Sequence, residues 1–285
     1  MIALLPPVDR ERRFALLLSG PAGLILLALF ALPLGLLFAV SLQAPPGGPP
    51  GPSLAAYERL LTTPHHLGAV WNSLKLSLTV TIITLLVGYP ASFAIARAKG
   101  GWRSLMLGCL FLPLAASVIV KAFAWTILLR SSGIINTVLL GLGIVDAPVR
   151  MIFTETALIV GAVNIFLPFM ILPVFAVVAQ LDPRLSEAAA TLGANPMTSF
   201  LKVTLPVSMP GIVAGVALVS ALSVSAYVVP TLLIGERYPT LASTIAKAYL
   251  LTREPAFGAA AGVVLLAIAV AIVVLSSRLG REGGA

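Results

Sequence analysis

The sequence predicts an all-α integral membrane protein of six transmembrane helices. Three observations carry that expectation. The 285 residues are 59% hydrophobic and only 10% charged, with a mean hydropathy of +1.06, a balance that soluble domains do not show. The apolar residues form runs of about 20 or more, enough to cross a bilayer as helix. The basic residues gather at the ends of those runs. A pI near 10.2 and a net charge of +8 would suggest nucleic acid in a soluble protein. Placed at span ends, the same charges predict topology and contact with anionic lipid, and no nucleic-acid partner.

The chain opens on a short tail with Arg10, Arg12 and Arg13. Phe14 to Leu42 is too long for a signal-peptide core and predicts an uncleaved first span, with kinks at Pro21 and Pro33. Gln43 to Pro52 (QAPPGGPPGP) predicts an irregular loop, and Leu54 to Leu61 a short helix on the membrane surface. The second span is expected over Trp71–Ala96 and the third over Ser104–Leu129, joined by a basic loop with Arg97, Lys99 and Arg103. Arg130 to Phe153 predicts an extramembranous loop, and Thr154–Ala179 a fourth span carrying Pro168 and Pro173. The fifth span is expected over Val207–Ile234. An outer loop follows from Gly235 to Pro255, with a short helix over Thr240–Leu250, and then the sixth span over Ala256–Leu275. The organisation is therefore residues 1–70 (tail, first span, Pro/Gly-rich loop), 71–277 (a core of five spans) and 278–285 (tail).

Asp182–Pro206 (DPRLSEAAATLGANPMTSFLKVTLP) is the longest polar-containing segment. Asp182 is a helix cap followed by Pro183 at the first helical position. Leu185, Ala188, Ala189 and Leu192 recur at helical spacing, and Gly193 can close the helix in the left-handed conformation. Asn195-Pro196 repeats the cap-then-proline signal, Met197, Phe200 and Leu201 share one side, and Pro206 ends the second helix. The prediction is helix, corner, helix, with an apolar stripe that nothing else in the chain covers.

Counting basic residues orients the six spans. Arg10, Arg12, Arg13, Arg97, Lys99, Arg103, Arg184, Lys202, Arg278 and Arg281 share one side. The other side has Arg59, Arg130, Arg150, Arg237, Lys247 and Arg253, offset by Glu58, Asp146, Glu236 and Glu254. The positive-inside rule puts both termini and Asp182–Pro206 in the cytoplasm.

Glu187-Ala188-Ala189, Gly193, and the spaced Val203, Leu205 and Pro206 resemble the EAA loop of ABC-importer permeases, with Val203 for the usual isoleucine. From Trp71 onward the chain resembles the spermidine/putrescine-type members. The stretches that carry this are LLVGYPASFAIAR (Leu85–Arg97), KAFAWTILLRSSGIIN (Lys121–Asn136), LPFMILPVFAVV (Leu167–Val178), LDPRLSEAAATLGA (Leu181–Ala194) and VTLPVSMPGIVAG (Val203–Gly215). The resemblance implies the type I ABC importer transmembrane domain, in a bacterial inner membrane, with a cytoplasmic coupling-helix loop. It implies as partners two ATPase subunits, a second and non-identical permease, and an extracytoplasmic solute-binding protein. ATP and Mg would be bound by the ATPase, and this chain would hold no cofactor. Arg184, Glu187, Ala188, Ala189, Leu192, Gly193 and Pro206 are the coupling residues it points to. Relatives that carry polyamines have an acidic residue before the aromatic of the fifth span, where this chain has Ala226. The solute is thus a small polar compound: a polyamine, or an amino-acid-like or phosphonate-type molecule.

Polar groups inside the spans are the pathway candidates. Lys121, one turn before Trp125, either lines a solute path or snorkels outward. Lys75 is expected to snorkel, and Glu155 to sit favourably at a helix start. Asn164 lies deeper and needs a hydrogen-bond partner. Ser220, Ser223 and Ser225 with Tyr227 form a stripe that suits a pore face or close helix packing.

Several activities lack their residues. No GxxxxGK[ST], HExxH or CxxC occurs, and no acidic metal pair. Cys109, the one cysteine, lies in an apolar span, and His65-His66 is expected in a solvated outer loop. An enzyme would need a catalytic constellation. A secondary transporter or channel, the alternative reading, would need an ion relay, for which only Lys121 and Glu155 offer themselves.

Overall fold

The computed structural model describes residues 7–44, 51–182 and 184–282. Thirteen helices are named among them: α1 (Pro7–Ser41), α2 (Ala55–Thr62), α3 (Pro64–Arg97), α4 (Gly100–Ala115), α5 (Val118–Leu128), α6 (Ile134–Gly141), α7 (Glu155–Val178), α8 (Arg184–Thr191), α9 (Pro196–Ser199), α10 (Leu205–Val224), α11 (Val228–Leu233), α12 (Leu241–Leu250) and α13 (Pro255–Glu282). No strand occurs among the described residues, where Gln43 and Pro52 make an isolated bridge.

The core is a three-helix wedge of α3, α7 and α10. Leu76 and Val80 on α3, Ile165, Met170 and Val174 on α7, and Val219 on α10 are at most 2% exposed. The closest approach depends on small residues. A Cβ on Gly211 would lie 2.9 Å from the Pro173 carbonyl oxygen, and one on Gly215 2.7 Å from Met170 Sδ. That G-x-x-x-G pair lets α10 lie against α7. Hydroxyls stitch α10 to α3: Ser77 Oγ donates to the Ser220 carbonyl at 2.9 Å, and Ser223 Oγ donates to Ser77 Oγ at 3.2 Å. Outside the wedge, α13 packs on α10, α12 and α1. Leu24 to Leu29 on α1 stay 60–69% exposed where large and apolar, a face suited to lipid. Pro21 and Pro33 lie within one continuous helix.

Four sequence expectations change. The third span is not one straight helix: α4 and α5 meet at a bend of 102°. Pro113 lies in the last turn of α4, its carbonyl accepts the Ala116 N–H, and Ala116 and Ser117 have ψ 139° and 144°. Ser117 then caps α5 through the Ile119 N–H. Pro206 does not end a helix. A π-helical segment, Phe200–Thr204, joins α9 to α10, and the Leu205 N–H reaches back to the Phe200 carbonyl. This wider turn accommodates Pro206, which lacks an N–H and whose ring would crowd an α-helical carbonyl four residues back. The helix thus runs Pro196–Val224, breaks at Ser225–Tyr227, and resumes as α11. The stretch 130–153 contains α6. Finally, α3 begins at Pro64, so His65 and His66 belong to its first turn, and the half-buried His66 ring lies 4.7 Å from that of Phe257. The remaining elements fall where expected, including the loop helix α12, whose Thr240–Ser243 capping box fixes its start.

Candidate coupling loop and solute pathway

Two ends of the molecule differ in their chemistry. At the far end from Asp182, the N-termini of α3, α7, α12 and α13 converge. Lys75 pairs with Glu155 at 2.7 Å, Arg59 with Glu254 at 2.6 Å, and Lys247 with Glu236 at 2.8 Å. Lys75 therefore has a carboxylate partner, beyond the snorkelling expected of it. Tyr238 donates to the Asn72 carbonyl, and burial, with the Glu155 charge adding, pushes its phenol up to about 12. Asn136, fully buried, closes the 130–149 loop. Its Nδ2 donates to the Arg130 and Val149 carbonyls at 3.0 and 2.9 Å, and its Oδ1 accepts from the Val149 N–H at 2.8 Å. Sequence pattern alone gave no sign of this clamp, because its partner lies 13 residues away.

At the loop end, Asp182 Oδ1 accepts the Arg184 N–H at 2.9 Å. Pro183 lies outside the described residues. The close of α8 is a Schellman turn: Gly193 has φ +84°, its N–H bonds the Ala190 carbonyl, and the Ala194 N–H bonds the Ala189 carbonyl. Asn195 Oδ1 accepts the Thr198 N–H at 2.7 Å, and Pro196 opens α9. The corner is thus held by short-range bonds on both sides. Arg184, Glu187 and Ala188 are exposed, Ala189 is half-buried, and Leu192 and Met197 are 89% and 64% exposed. Glu187 and Arg184 belong to none of the ion pairs found among the described residues.

The pathway candidates separate. Trp125 Nε1 donates to Asn164 Oδ1 at 3.1 Å, which gives Asn164 its partner. Lys121 lies one turn from Trp125 on the same face of α5 and is half-buried. Ser225 and Tyr227 are exposed at the α10–α11 break. Tyr227 lines a far-end cavity of about 250 Å³ with Thr231, Ser243 and Lys247. Ser223 does not join them. It is 1% exposed and its hydroxyl is spent on Ser77 and the Val219 carbonyl. The serine stripe is therefore split: Ser220 and Ser223 pack helices, and Ser225 faces outward. Both helix breaks, at Ser117 and at Ser225–Tyr227, feed short helices that pack on each other and on α7. Irregular backbone of this kind is tolerated at membrane depth where protein or a cavity surrounds it.

The subunit is polytopic and helical, with two broken spans and a short helix pair between α7 and α10. The model of the binding-protein-dependent transport system inner membrane component family matches residues 135–281, and the chain belongs to that family. It is 37% identical over 222 residues to the spermidine/putrescine transport system permease protein PotB of Haemophilus influenzae, covering 77% of this chain and 78% of that one. It is 33% identical to PotB of Escherichia coli, covering 80% and 83%. The crystal structure of a bacterial ABC transporter involved in alginate import superposes with a TM-score of 0.74 over 96% of this chain and 97% of that chain, at 20% identity. That likeness is one of fold.

Proposed function

We propose that this chain forms half of a gated solute pathway, driven through its Asp182–Pro206 loop by a separate ATPase. One observation carries the reading: a rigidly cornered helix pair leaves Leu192 and Met197 bare at 89% and 64% exposure, at an end where Arg97, Lys99, Arg103, Arg184 and Lys202 join no ion pair among the described residues. Leucine and methionine left this open are not lipid-facing if the loop lies outside the bilayer, so a protein groove is the fitting cover. The positive-inside count supports placing this end, with both termini, in the cytoplasm, where ATP is available. Arg184, Glu187, Ala188, Ala189, Leu192 and Gly193 form the docking piece, and the π segment before Pro206 passes its motion into α10. ATP and Mg belong to the partner. Two ATPase subunits, a second permease and an extracytoplasmic binding protein complete the complex.

In the pathway, Lys121, Trp125, Asn164, Ser225 and Tyr227 are the candidates. A path formed between two subunits is open surface on either one, which suits their exposure. The solute is a small polar compound. The PotB relatives favour a polyamine. Lys121, unpaired among the described residues, and Ala226 in place of a carboxylate favour an anionic or zwitterionic solute instead.

The test is a detergent pull-down of the importer expressed from its neighbouring genes, wild type beside Glu187→Arg. An ATPase subunit recovered with wild type and lost with the variant supports the reading. No ATPase with either contradicts it. ATP hydrolysis in proteoliposomes, stimulated by a polyamine or by a phosphonate on its binding protein, then separates the solutes.

A further inference from the structure

A cleft of about 640 Å³ opens where the α3–α4 loop meets the foot of the coupling loop. Arg97, Lys99 and Arg103 line one side, and Phe93, Val178 and Val207 are among the apolar residues lining the rest. None of the three cations belongs to an ion pair among the described residues. Two are instead held over aromatic rings: the Arg97 guanidinium lies 5.6 Å from the Phe93 centroid, and that of Arg103 5.6 Å from Phe175. Among the described residues, Asp182 is the one acidic residue lining the cleft. A neighbouring cleft shares Phe93, Arg97 and Thr204 and contains Ser199 in its lining. Ser199 is 7% exposed, and its hydroxyl has no hydrogen-bond partner among the described residues.

We propose that this paired cleft seats the headgroup of an anionic phospholipid, with the phosphate on Arg97, Lys99 and Arg103 and an acyl chain along the apolar wall. Three unpaired cations call for an anion, and the largely apolar lining calls for an amphiphile. The cleft lies at the ends of α3 and α7, where a span meets the headgroup layer, and basic pockets between spans on the cytoplasmic side hold such lipids. Leu192 and Met197, the bare residues of the loop tip, line neither cleft, while Ala190, Ala194 and Pro196 line the second, so the paired cleft backs onto the corner without including its bare apolar tip. Asp182 and Leu185 do line it, so a bound lipid would brace the foot of α8. The proposal rests on the cytoplasmic placement of this end.

The experiment is native mass spectrometry of the whole importer. It is released from nanodiscs made with equal parts of phosphatidylglycerol and phosphatidylcholine, and the lipids retained on the permease are counted. Wild type is expected to keep phosphatidylglycerol over phosphatidylcholine. Each basic residue removed should lower that preference roughly fivefold, in Arg97→Gln/Arg103→Gln and, more mildly, in Lys99→Gln, which disturbs no aromatic contact. Equal retention of both lipids by wild type overturns the proposal. So does displacement by inorganic phosphate, which would mark a free-anion site. Loss of the ATPase in the variants with lipid retention unchanged overturns it too, and assigns the cations to protein docking. If wild type carries no ATPase, the functional reading fails, while the lipid count on the permease still decides this proposal.

Discussion

The two ends of this subunit are built from similar residues put to opposite uses. At the far end Lys75, Arg59 and Lys247 each have a carboxylate within 2.8 Å, and Asn136 ties a loop shut with three hydrogen bonds. At the loop end Arg97, Lys99, Arg103, Arg184 and Lys202 take part in no ion pair among the described residues, and leucine and methionine stand in the open. The ion pairs found among the described residues all lie at the far end, where Arg130, Arg150, Arg237 and Arg253 nonetheless join none; the loop end has no ion pair among them. The difference teaches where to look for function, because an unsatisfied but ordered surface is shaped by what it meets.

The largest effect should come from the corner that orders the loop end. Gly193→Val forces a β-branched residue to φ +84°, a strain of roughly 1–3 kcal/mol. Uptake should be lost while membrane abundance stays near wild type, measured by transport assay beside an immunoblot. Wild-type uptake at normal abundance would remove the corner from the mechanism.

Next in size is the clamp of the far end. Asn136→Ala removes the three part-buried hydrogen bonds that tie the Arg130 carbonyl and the exposed Val149 backbone together, at about 1–3 kcal/mol in all. A lower thermal midpoint in detergent, with the ATPase still bound, is the expected pattern. An ATPase lost along with the midpoint would mean that the two ends are not separable.

Much of this contrast was legible in the sequence, and the legible part is local. Gly193, Asn195-Pro196 and Thr240–Ser243 act through bonds to residues two to five positions away, so their signals survive in one chain. The bend between α4 and α5 did not show, because hydropathy is continuous through Pro113–Ser117 and carries no information on ψ. The π segment was equally hidden: Pro206 reads as a helix end unless the preceding turn widens. Ser223 and Ser225 look alike in sequence, and only the packing of α10 on α3 separates a buried serine from an open one. The unpaired state of Arg97 and Arg103 depends on long-range neighbours and was out of reach.

Smaller effects probe the ion pairs. Arg59–Glu254 is about half exposed on one side and 37% on the other. A double-mutant cycle to alanine should give about 0.2–1 kcal/mol, falling with added salt. Smallest is the fully exposed Glu236. The hydrogen bond from Lys247, and then its charge, hold the Glu236 carboxyl below its ordinary value of 4.5. A lowered folded value makes the pair's contribution present above 4.5 and lost as pH falls through the folded value. Thermal midpoints measured across that window should drop slightly more for wild type than for Glu236→Gln. Parallel curves would mean that the pair adds nothing.

The contrast between the ends is tested most directly by cross-linking. Cys109 is the single cysteine, so Cys109→Ala gives a clean background for Leu192→Cys at the loop end and Leu250→Cys at the far end, positions that are 89% and 73% exposed. The account predicts that, in membranes containing the whole importer, a thiol cross-linker joins Leu192→Cys to an ATPase subunit and leaves Leu250→Cys free of it. An ATPase adduct at Leu250→Cys, or at neither position in an importer that transports, would contradict it.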